Sequence, residues 1–176
     1  MCHKILWLFV ICVLAMPGHA DEKGGYAGLG VGLFDGDYDD SEQPHLESLA
    51  ANVFLGYDFN VYLGVETQIE YVNKDSELDQ DGFATEFSGL GVMAGVVMKL
   101  PLDREDDFAL YGRVGGTFWD YQMRSQDLGG SVETQTVTPH LAFGIKSRYL
   151  FLEYVNHGKE NALHLEQLRG GFRVLF

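Results

Sequence analysis

Apolar and polar residues alternate along most of the chain after residue 20. Eight segments of about ten residues carry this two-residue period, and none carries a convincing helical period. In the first segment, YAGLGVGLF (26–34), Leu29, Val31 and Leu33 share one face and glycines share the other. About ten residues is the length that a tilted strand needs to cross a membrane. The pattern therefore predicts eight membrane-spanning strands.

The other seven predicted strands repeat the alternation, mostly with small, polar or charged residues on the second face. They cover residues 49–59, 61–72, 87–100, 108–121, 140–149, 150–157 and about 163–176. In the third strand, for example, Val65 and Ile69 oppose Glu66 and Glu70. An even number of strands is typical of single-chain bacterial barrels. We predict an all-β fold, an eight-stranded antiparallel up-and-down transmembrane β-barrel.

The predicted connections alternate between short and long. Strands 2 and 3, and strands 6 and 7, follow each other almost without a spacer, and PLDRED (101–106) is a short turn. The segments 35–48, 73–86 and 122–139 read as long polar loops, and a shorter link lies near GKENA (158–162). Outer-membrane barrels have short turns on the periplasmic side and long loops outside. Both termini are therefore predicted to be periplasmic.

A soluble sandwich or a lipocalin-like barrel would also show alternation. In a soluble barrel, large apolar residues fill the interior. Here the apolar face is continuous over entire strands, and the opposite face offers glycine, glutamate, lysine, arginine, asparagine and glutamine. This distribution favours a barrel with lipid outside and a polar lumen inside.

The first twenty residues have the order of a secretory signal peptide. Lys4 precedes an apolar run from Ile5 to Ala15, and small residues, Gly18 and Ala20, follow. The run is about half the roughly 20 residues that a membrane-spanning helix needs, so a retained anchor is the weaker interpretation. We predict a cleaved signal peptide at 1–20 and a barrel domain at 21–176. Both cysteines lie in the predicted signal peptide, which leaves the mature chain without thiols.

The chain is strongly acidic, with 12 basic and 26 acidic side chains and a net charge of −14. Without Lys4 the charge is −15. A chain of this charge repels nucleic acid, and no basic stripe argues otherwise. We therefore predict no nucleic-acid partner.

The predicted barrel domain resembles the eight-stranded outer-membrane barrels of the OmpA-type transmembrane domain, which include small porin-like proteins of Gram-negative bacteria. The resemblance rests on the signal peptide, the first strand GLGVGLF, the rhythm of turns and loops, and the ending GGFRVLF. It implies a monomer in the outer membrane, surrounded by lipids and lipopolysaccharide. It also implies that the barrel-assembly machinery recognises the last strand through Gly170, Phe172, Val174 and Phe176.

The resemblance further implies a cluster of ion pairs in the lumen, with acids on strands 3 and 7 and bases on strands 5 and 8. The residues at those places are Glu66, Glu153, Arg113 and Arg173, and Glu70 and Lys146 extend the set. Arg173 is the expected partner of Glu66 or Glu153. Charges in so narrow a lumen need partners. Such a cluster either fills the lumen or, by exchanging partners, opens a small conductance.

Two acidic or histidine-containing segments are candidate metal sites. DGDYDDSE (35–42) begins like a calcium loop, but an EF-hand needs Gly at its sixth position and Glu at its twelfth, where this chain has Asp40 and Leu46. A loose site for divalent cations remains an alternative to a solvated acidic loop. His157, Glu160 and His164 match no standard metal-ligand spacing. We predict no metal site and no cofactor.

A lipid hydrolase would need a serine beside a histidine and an acid. Glu153 and His157 have no serine next to them, and Ser131 and Ser147 lie in other segments. GLGVG lacks the spacing of a nucleotide-binding loop and no helix follows it. We predict no catalytic residues.

Aromatic residues near the ends of the predicted strands read as interfacial girdles. They are Tyr57, Phe59, Tyr71, Phe108, Phe118, Tyr149 and Phe176. The sequence thus predicts a non-catalytic outer-membrane protein with a role in envelope structure or in surface interaction and adhesion, with a possible extracellular ligand at its acidic loops. The alternatives are a narrow gated pore for small ions and a lipid-modifying enzyme.

Overall fold

The protein forms a closed barrel of eight antiparallel strands, each paired with its neighbours in chain order. The computed structural model describes residues 24–38, 46–78, 84–103, 108–125, 130–160 and 163–176. The strands are β1 (Gly24–Tyr38), β2 (Leu46–Asp58), β3 (Leu63–Leu78), β4 (Ala84–Pro101), β5 (Phe108–Ser125), β6 (Gly130–Ser147), β7 (Leu150–Glu160) and β8 (Leu163–Leu175). The predicted fold class is confirmed. The predicted signal peptide lies outside the described residues and stays a prediction.

None of the described residues belongs to a helix long and apolar enough to cross a membrane.

Strand β8 closes the barrel against β1. Thirteen residue pairs run from Tyr26–Leu175 to Tyr38–Leu163. Backbone hydrogen bonds continue the ladder beyond the strand ends, because Gly25 N donates to Phe176 O at 3.0 Å and Phe176 N donates to Gly25 O at 2.9 Å. The described chain therefore begins and ends at the end of the barrel that carries the short turns.

The outer surface of the barrel is an apolar belt. Its side chains come from the predicted apolar faces, and they are exposed because in this barrel the outside contacts lipid rather than water. Representative members are Leu29, Val31, Val53, Ile69, Val96, Leu110, Val114, Leu141, Phe143, Leu152, Phe172 and Val174. Alternation places every second residue of a strand on this surface.

Aromatic residues mark both margins of the belt, as the sequence predicts. At the short-turn end the exposed rings include Phe59, Tyr62, Phe108, Tyr149 and Phe176. At the other margin, Tyr71 and Phe118 are exposed. The rings suit the boundary between hydrocarbon and water.

The strands are longer at the loop end than the sequence predicts. Residues 122–139 were expected to form a loop, but most of them belong to β5 and β6, which are 18 residues each. At about 3.3 Å per residue such a strand is roughly 59 Å long, whereas the apolar band of an outer-membrane barrel is about 25 Å tall. The predicted loop boundaries are therefore wrong. The polar residues continue the strand pairing in water, where membrane alternation no longer applies.

The extension beyond the belt is a four-stranded sheet. β3 pairs with β4 as far as Leu78–Ala84, β4 with β5 as far as Thr85–Ser125, and β5 with β6 as far as Ser125–Gly130. On its two sides the pairing ends sooner. β2 and β3 pair as far as Ala50–Val72, and β6 and β7 pair only up to Leu141–Asn156.

The interior also differs from the expectation of a lumen built of glycine and polar residues alone. Apolar and aromatic side chains fill both ends of it: Phe34, Ala50, Val72, Trp119 and Leu165 at the long-loop end, and Tyr26, Phe54 and Phe151 towards the short turns. Glycines on neighbouring strands make the space. A Cβ added to Gly91 would meet the Trp119 ring at 2.8 Å. The alternation therefore predicts which face is inside, but not that rings and glycines share it.

Candidate functional site in the lumen

Between the two apolar ends, Arg113 of β5 holds acids from two other strands. Its guanidinium forms an ion pair with Glu66 of β3 and donates to Glu153 Oε1 of β7 at 3.3 Å. It also lies 3.3 Å from the amide oxygen of Gln68. Since Arg113 is buried, these contacts replace the water that the charge has lost.

Arg169 of β8 holds the other side of the same network. Its Nε donates to Glu153 Oε1 at 2.5 Å, and its Nη1 donates to Glu70 Oε2 at 2.6 Å. Its Nη2 donates to Gln68 Oε1 at 2.8 Å. The side chains of Arg169 and Glu70 are both 0% exposed. Arg169 thus ties β8 to β3 across the lumen and to β7 beside it.

Tyrosine hydroxyls and an amide complete the hydrogen bonding of the acids. Tyr26 donates to Glu66 Oε2 at 3.0 Å, and Tyr111 donates to Glu153 Oε2 at 2.9 Å. The lumen network, defined as Glu66, Gln68, Glu70, Arg113, Glu153 and Arg169, therefore contains three carboxylates and two guanidinium groups. Hydrogen bonds from neutral groups supplement the ion pairs, as buried charges require.

A second group of charges lies nearer the short turns. Lys99 Nζ is 2.7 Å from Asp58 Oδ2, and Arg173 Nη2 is 3.8 Å from the same oxygen. The Arg173 guanidinium also lies 4.4 Å from the centre of the Tyr26 ring. Lys146 contacts the rings of Tyr26 and Tyr111, at 5.6 and 5.4 Å from their centres. Cation–π contacts of this length are favourable.

The structure brings four of the six predicted cluster residues into one network. Glu66, Glu70, Arg113 and Glu153 are joined through direct contacts. Arg173 does not pair with Glu66 or Glu153, so the expected partner was wrong. Arg173 pairs with Asp58, and the β8 arginine that pairs with Glu153 is Arg169. Arg173 lies four residues further along β8, about 13 Å nearer the short turns at 3.3 Å per residue. Lys146 lies between the two groups, against tyrosine rings.

The residues that the sequence analysis left out share the inward face of their strands. They are Tyr26, Asp58, Gln68, Lys99, Tyr111 and Arg169. For three of them the sequence carried a signal, because Gln68, Tyr111 and Arg169 each lie an even number of residues from a predicted member on the same strand. Parity gives the face, but the height in the lumen depends on register between strands. In the structure Glu153 is the direct register partner of Arg169.

The other candidate residues do not converge on one site. His157 is buried between the rings of Phe34 and Trp119, with its Nε2 4.0 Å from Glu70. His164 belongs to the outward face of β8, so the two histidines lie on opposite sides of the wall. The side chain of Glu160 lies outside the described part of the chain. Among the described residues, no group of three or more metal-binding side chains is found.

Ser147 does not lie in the surroundings of a catalytic serine, and most of the acidic segment 35–42 lies outside the described side chains. Ser147 Oγ accepts from Leu150 N at 3.0 Å and donates to Leu150 O at 3.3 Å, which places it in the turn between β6 and β7. Asp35 and Asp37 belong to β1, and Asp39 lies outside the described residues. The divalent-cation site therefore stays a prediction, and Ser131 has no described side chain.

A closed sheet with an apolar outside, aromatic margins and a charged, hydrogen-bonded inside defines an integral membrane β-barrel. The chain belongs to the family described as the outer membrane protein beta-barrel domain, whose model matches residues 5–151. Its location is the bacterial outer membrane. No curated protein matches the chain.

Solved structures share the fold at low identity. Neisserial surface protein A is 15% identical, with 87% of this chain and 97% of that chain covered and a TM-score of 0.65. Ail, the attachment invasion locus protein of Yersinia pestis, is 16% identical, with 87% and 99% covered and a TM-score of 0.59. A second Ail structure, in complex with the heparin analogue sucrose octasulfate, is 17% identical, with 85% and 99% covered and a TM-score of 0.55. These likenesses support the barrel fold.

Proposed function

We propose that this protein is a non-catalytic outer-membrane barrel that acts through its long-loop end, in surface interaction or adhesion. The observation that carries the proposal is the filled lumen. A cavity lined by Tyr26, Glu66, Tyr111, Lys146 and Arg173, among others, has a volume of about 20 Å³. That is close to the minimum for one water molecule. Because its own side chains fill the lumen, the polar groups that a partner can reach lie at the ends of the barrel.

The long-loop end is strongly acidic. The segments 35–48, 73–86, 122–139 and 158–162 contain six, five, two and one acidic residues, but none, one, one and one basic residues. They thus hold 14 of the 26 acidic side chains and only 3 of the 12 basic ones. Clustered charge of one sign attracts partners of the other sign. A positively charged protein surface is therefore the partner class that the charge supports.

The heparin analogue in one Ail structure is a polyanion. The acidic long-loop end of the present chain would repel such a ligand. We therefore propose no sulfated-glycan binding here, and the test compares cationic and anionic surfaces directly.

Barrels in lipid nanodiscs are expected to be retained on immobilised poly-lysine and not on immobilised heparin at low salt. Neutralising three exposed acids at the long-loop end, through Glu47→Gln, Asp120→Asn and Glu133→Gln, is expected to reduce retention severalfold. Raising the salt concentration to about 1 M shortens the Debye length to about 3 Å and should release the barrel. Retention is measured by surface plasmon resonance.

The matched control removes the same number of charges from the β4–β5 connection, through Asp103→Asn, Glu105→Gln and Asp106→Asn. Asp103 is exposed at the short-turn end, and its replacement by asparagine keeps the oxygen that accepts from Phe108 N. This variant is expected to retain most of the binding. Equal losses in both variants, or preference for heparin, would contradict a cationic partner at the long-loop end.

The alternative function is a narrow gated pore. The filled lumen favours a protein that does not conduct ions. Wild-type barrels in planar lipid bilayers are therefore expected to give no stable conductance steps at neutral pH. Single-channel recording checks this expectation. Stable steps that disappear in Arg113→Ala or Glu66→Ala would favour the pore, because both residues belong to the lumen network.

A lipid-modifying enzyme has less support. Glu153 and His157 are buried in the lumen, and the Glu153 carboxylate is bound by Arg113 and Arg169. Of the two candidate serines, Ser131 and Ser147, the side chain of Ser147 is described, and it is part of a turn. A general base must reach the proton that it abstracts. The geometry of these residues gives no such arrangement with lipid.

We also propose the partners that the family resemblance implies for the outer surface. Phe172, Val174 and Phe176 are exposed on the lipid-facing side of β8, and Gly170 shares this side. This placement suits recognition by the barrel-assembly machinery before insertion, and contact with outer-membrane lipids and lipopolysaccharide afterwards. A monomeric state and periplasmic termini remain predictions.

A further inference from the structure

The extended sheet at the long-loop end leaves one side of β6 without a strand partner in the described structure. β6 pairs with β5 along its full length, from Gly130 to Ser147, but with β7 only from Leu141 to Lys146. The segment Gly130–Thr138, named the β6 edge here, therefore has a ladder on one side only. Alternate backbone N–H and C=O groups of such an edge point away from its partner and can pair with another chain.

The separation of β6 from β7 has a local cause. Pro139 lies just before the last β6–β7 pair and has no N–H to donate. Opposite it, β7 has an irregular register between Asn156 and Lys159, and Gly158 there has a φ of 75°. Its backbone approaches closely, since a Cβ added to Gly158 would lie 3.1 Å from Pro139 O. Regular pairing between the two strands ends at this point.

The part of the β6 edge that precedes Val137 lies beyond the lipid belt. Phe118 and Val137 are the last exposed apolar pair between β5 and β6, and the next outward pair is Asp120 with Gln135. Gln135 Nε2 donates to Asp120 Oδ2 at 3.4 Å. Water therefore solvates the edge in the isolated barrel, and a partner in the aqueous phase can reach it.

The opposite side of the sheet has an edge of another kind. β3 loses its β2 partner after Val72, and the residues that follow, NKDSEL (73–78), include Lys74, Asp75 and Glu77. The register of β3 also shifts between Val72 and Asp75. Charges and bulges are the devices by which natural sheets prevent strand addition. The β3 edge is protected in both ways.

The β6 edge has little such protection. Its sequence, GSVETQTVT (130–138), has a single charge at Glu133 and five β-branched residues among nine. β-branched residues favour strands. Two edges of one sheet thus differ in the feature that decides whether another strand can add.

We propose that the β6 edge binds an extended, positively charged segment of a partner protein by strand addition. The inference deepens the proposed surface interaction and rests on it. Glu133 is exposed on the outer face of β6, so a segment with lysine or arginine at alternate positions would lie beside this acid and near the acidic long-loop end. A second copy of the chain would bring its own acidic end, and like charges oppose such pairing.

The edge sets the size of the segment. Nine residues span about 30 Å at 3.3 Å per residue, so a partner segment of eight to ten residues covers it. In strand addition the backbone bonds supply affinity and alternate side chains supply specificity. On one face the segment would meet Glu133 and Gln135, and on the other Thr134, Thr136 and Thr138.

The test uses full-length mature barrel in nanodiscs and a synthetic ten-residue peptide of alternating lysine and valine. Amide hydrogen exchange is measured by NMR with and without the peptide. Exchange is expected to slow at least tenfold at alternate amides of 130–138 and to stay unchanged at 73–78. The control peptide has every second amide N-methylated, which keeps its charge and removes its ladder donors, and it should bind at least tenfold more weakly.

Two neighbouring variants, Thr134→Pro and Gln135→Pro, separate the edge from the β5 ladder. One of these amides points to β5 and is protected without peptide, and the other points to the free side. Proline at the free-side position is expected to abolish peptide protection while the barrel keeps its heat-modifiable gel mobility. Protection measured on the wild-type barrel tests the proposal even if a proline variant fails to fold.

Three outcomes would overturn strand addition at this edge: equal binding of the N-methylated peptide, protection at 73–78 instead, or concentration-dependent protection without peptide, which identifies a second copy as the occupant. Poly-lysine retention distinguishes the two proposals. If retention depends on the long-loop acids but the peptide leaves the β6 edge unprotected, strand addition fails and the proposed surface function stands. If retention itself fails, the proposed cationic partner fails as well.

Discussion

Replacing Arg169 with methionine is expected to lower the free energy of unfolding by about 3–5 kcal/mol, the usual effect of removing one partner from a buried ion pair. Arg169 is fully buried and bonds Glu70, Glu153 and Gln68. Without it, three carboxylates share the single guanidinium of Arg113. Urea unfolding of the refolded barrel in vesicles, followed by tryptophan fluorescence and gel mobility, measures the loss.

The network's composition predicts a specific rescue. Glu70→Gln removes one of three acids and keeps an oxygen that accepts from Arg169, so alone it should cost less than Arg169→Met. Combined with Arg169→Met, it should recover at least 1 kcal/mol, since coupled buried partners are not additive. Arg173→Met is the matched control, because Arg173 has one ion pair at 3.8 Å. A loss in Arg173→Met equal to that in Arg169→Met would contradict the central role given to Arg169.

Trp119→Ala is expected to cost about 3–5 kcal/mol, the range for removing a buried large aromatic side chain. The indole is almost fully buried at the long-loop end and packs edge-on against Phe34 at 6.0 Å between ring centres. Gly91 is its register partner on β4. Gly91→Val is expected to cost about 1–3 kcal/mol, because the new side chain would overlap the ring.

The double variant, Gly91→Val with Trp119→Ala, should lose less than the sum of the single losses. The valine then occupies part of the space that the indole leaves. Gly116→Val is the matched control on the outer face, where the nearest atom to an added Cβ is 3.8 Å away. It should change stability by less than 0.5 kcal/mol, as surface substitutions usually do. Additive losses at Gly91 and Trp119 would show that ring and glycine are not complementary.

The sequence predicts the fold because lipid and lumen impose alternation on every spanning strand. Val65 and Ile69 contact lipid and Glu66 and Glu70 face inward, as their spacing alone indicates. It does not predict which charge pairs with which. A strand shifted by two residues keeps every side chain on the same face, so Arg169 and Arg173 look equivalent along β8. Register, which depends on turns and on all neighbouring strands, separates them.

The extension beyond the belt escaped prediction for a related reason. Residues 130–136 are mostly polar on both faces, because both faces lie in water or near it. The loss of amphipathic alternation predicts a loop, although the β-branched residues retain their preference for strands. The rings in the lumen were missed because apolar residues were all assigned to lipid. Phe34 and Trp119 have the inward parity of their strands, and parity is the better guide.

The pairing of β8 with β1 has a consequence for how the barrel unfolds. Tyr26 and Leu175 are neighbours in the sheet although nearly the whole described chain separates them. In hydrocarbon, opening this seam would leave two rows of unpaired backbone groups, each costing several kcal/mol. A partly open barrel is therefore sparsely populated, and strands cannot detach one at a time. We expect a single cooperative unfolding transition. Closure of the barrel is slow because β1 and β8 are far apart in sequence, and opening of the closed β1–β8 seam is slower still.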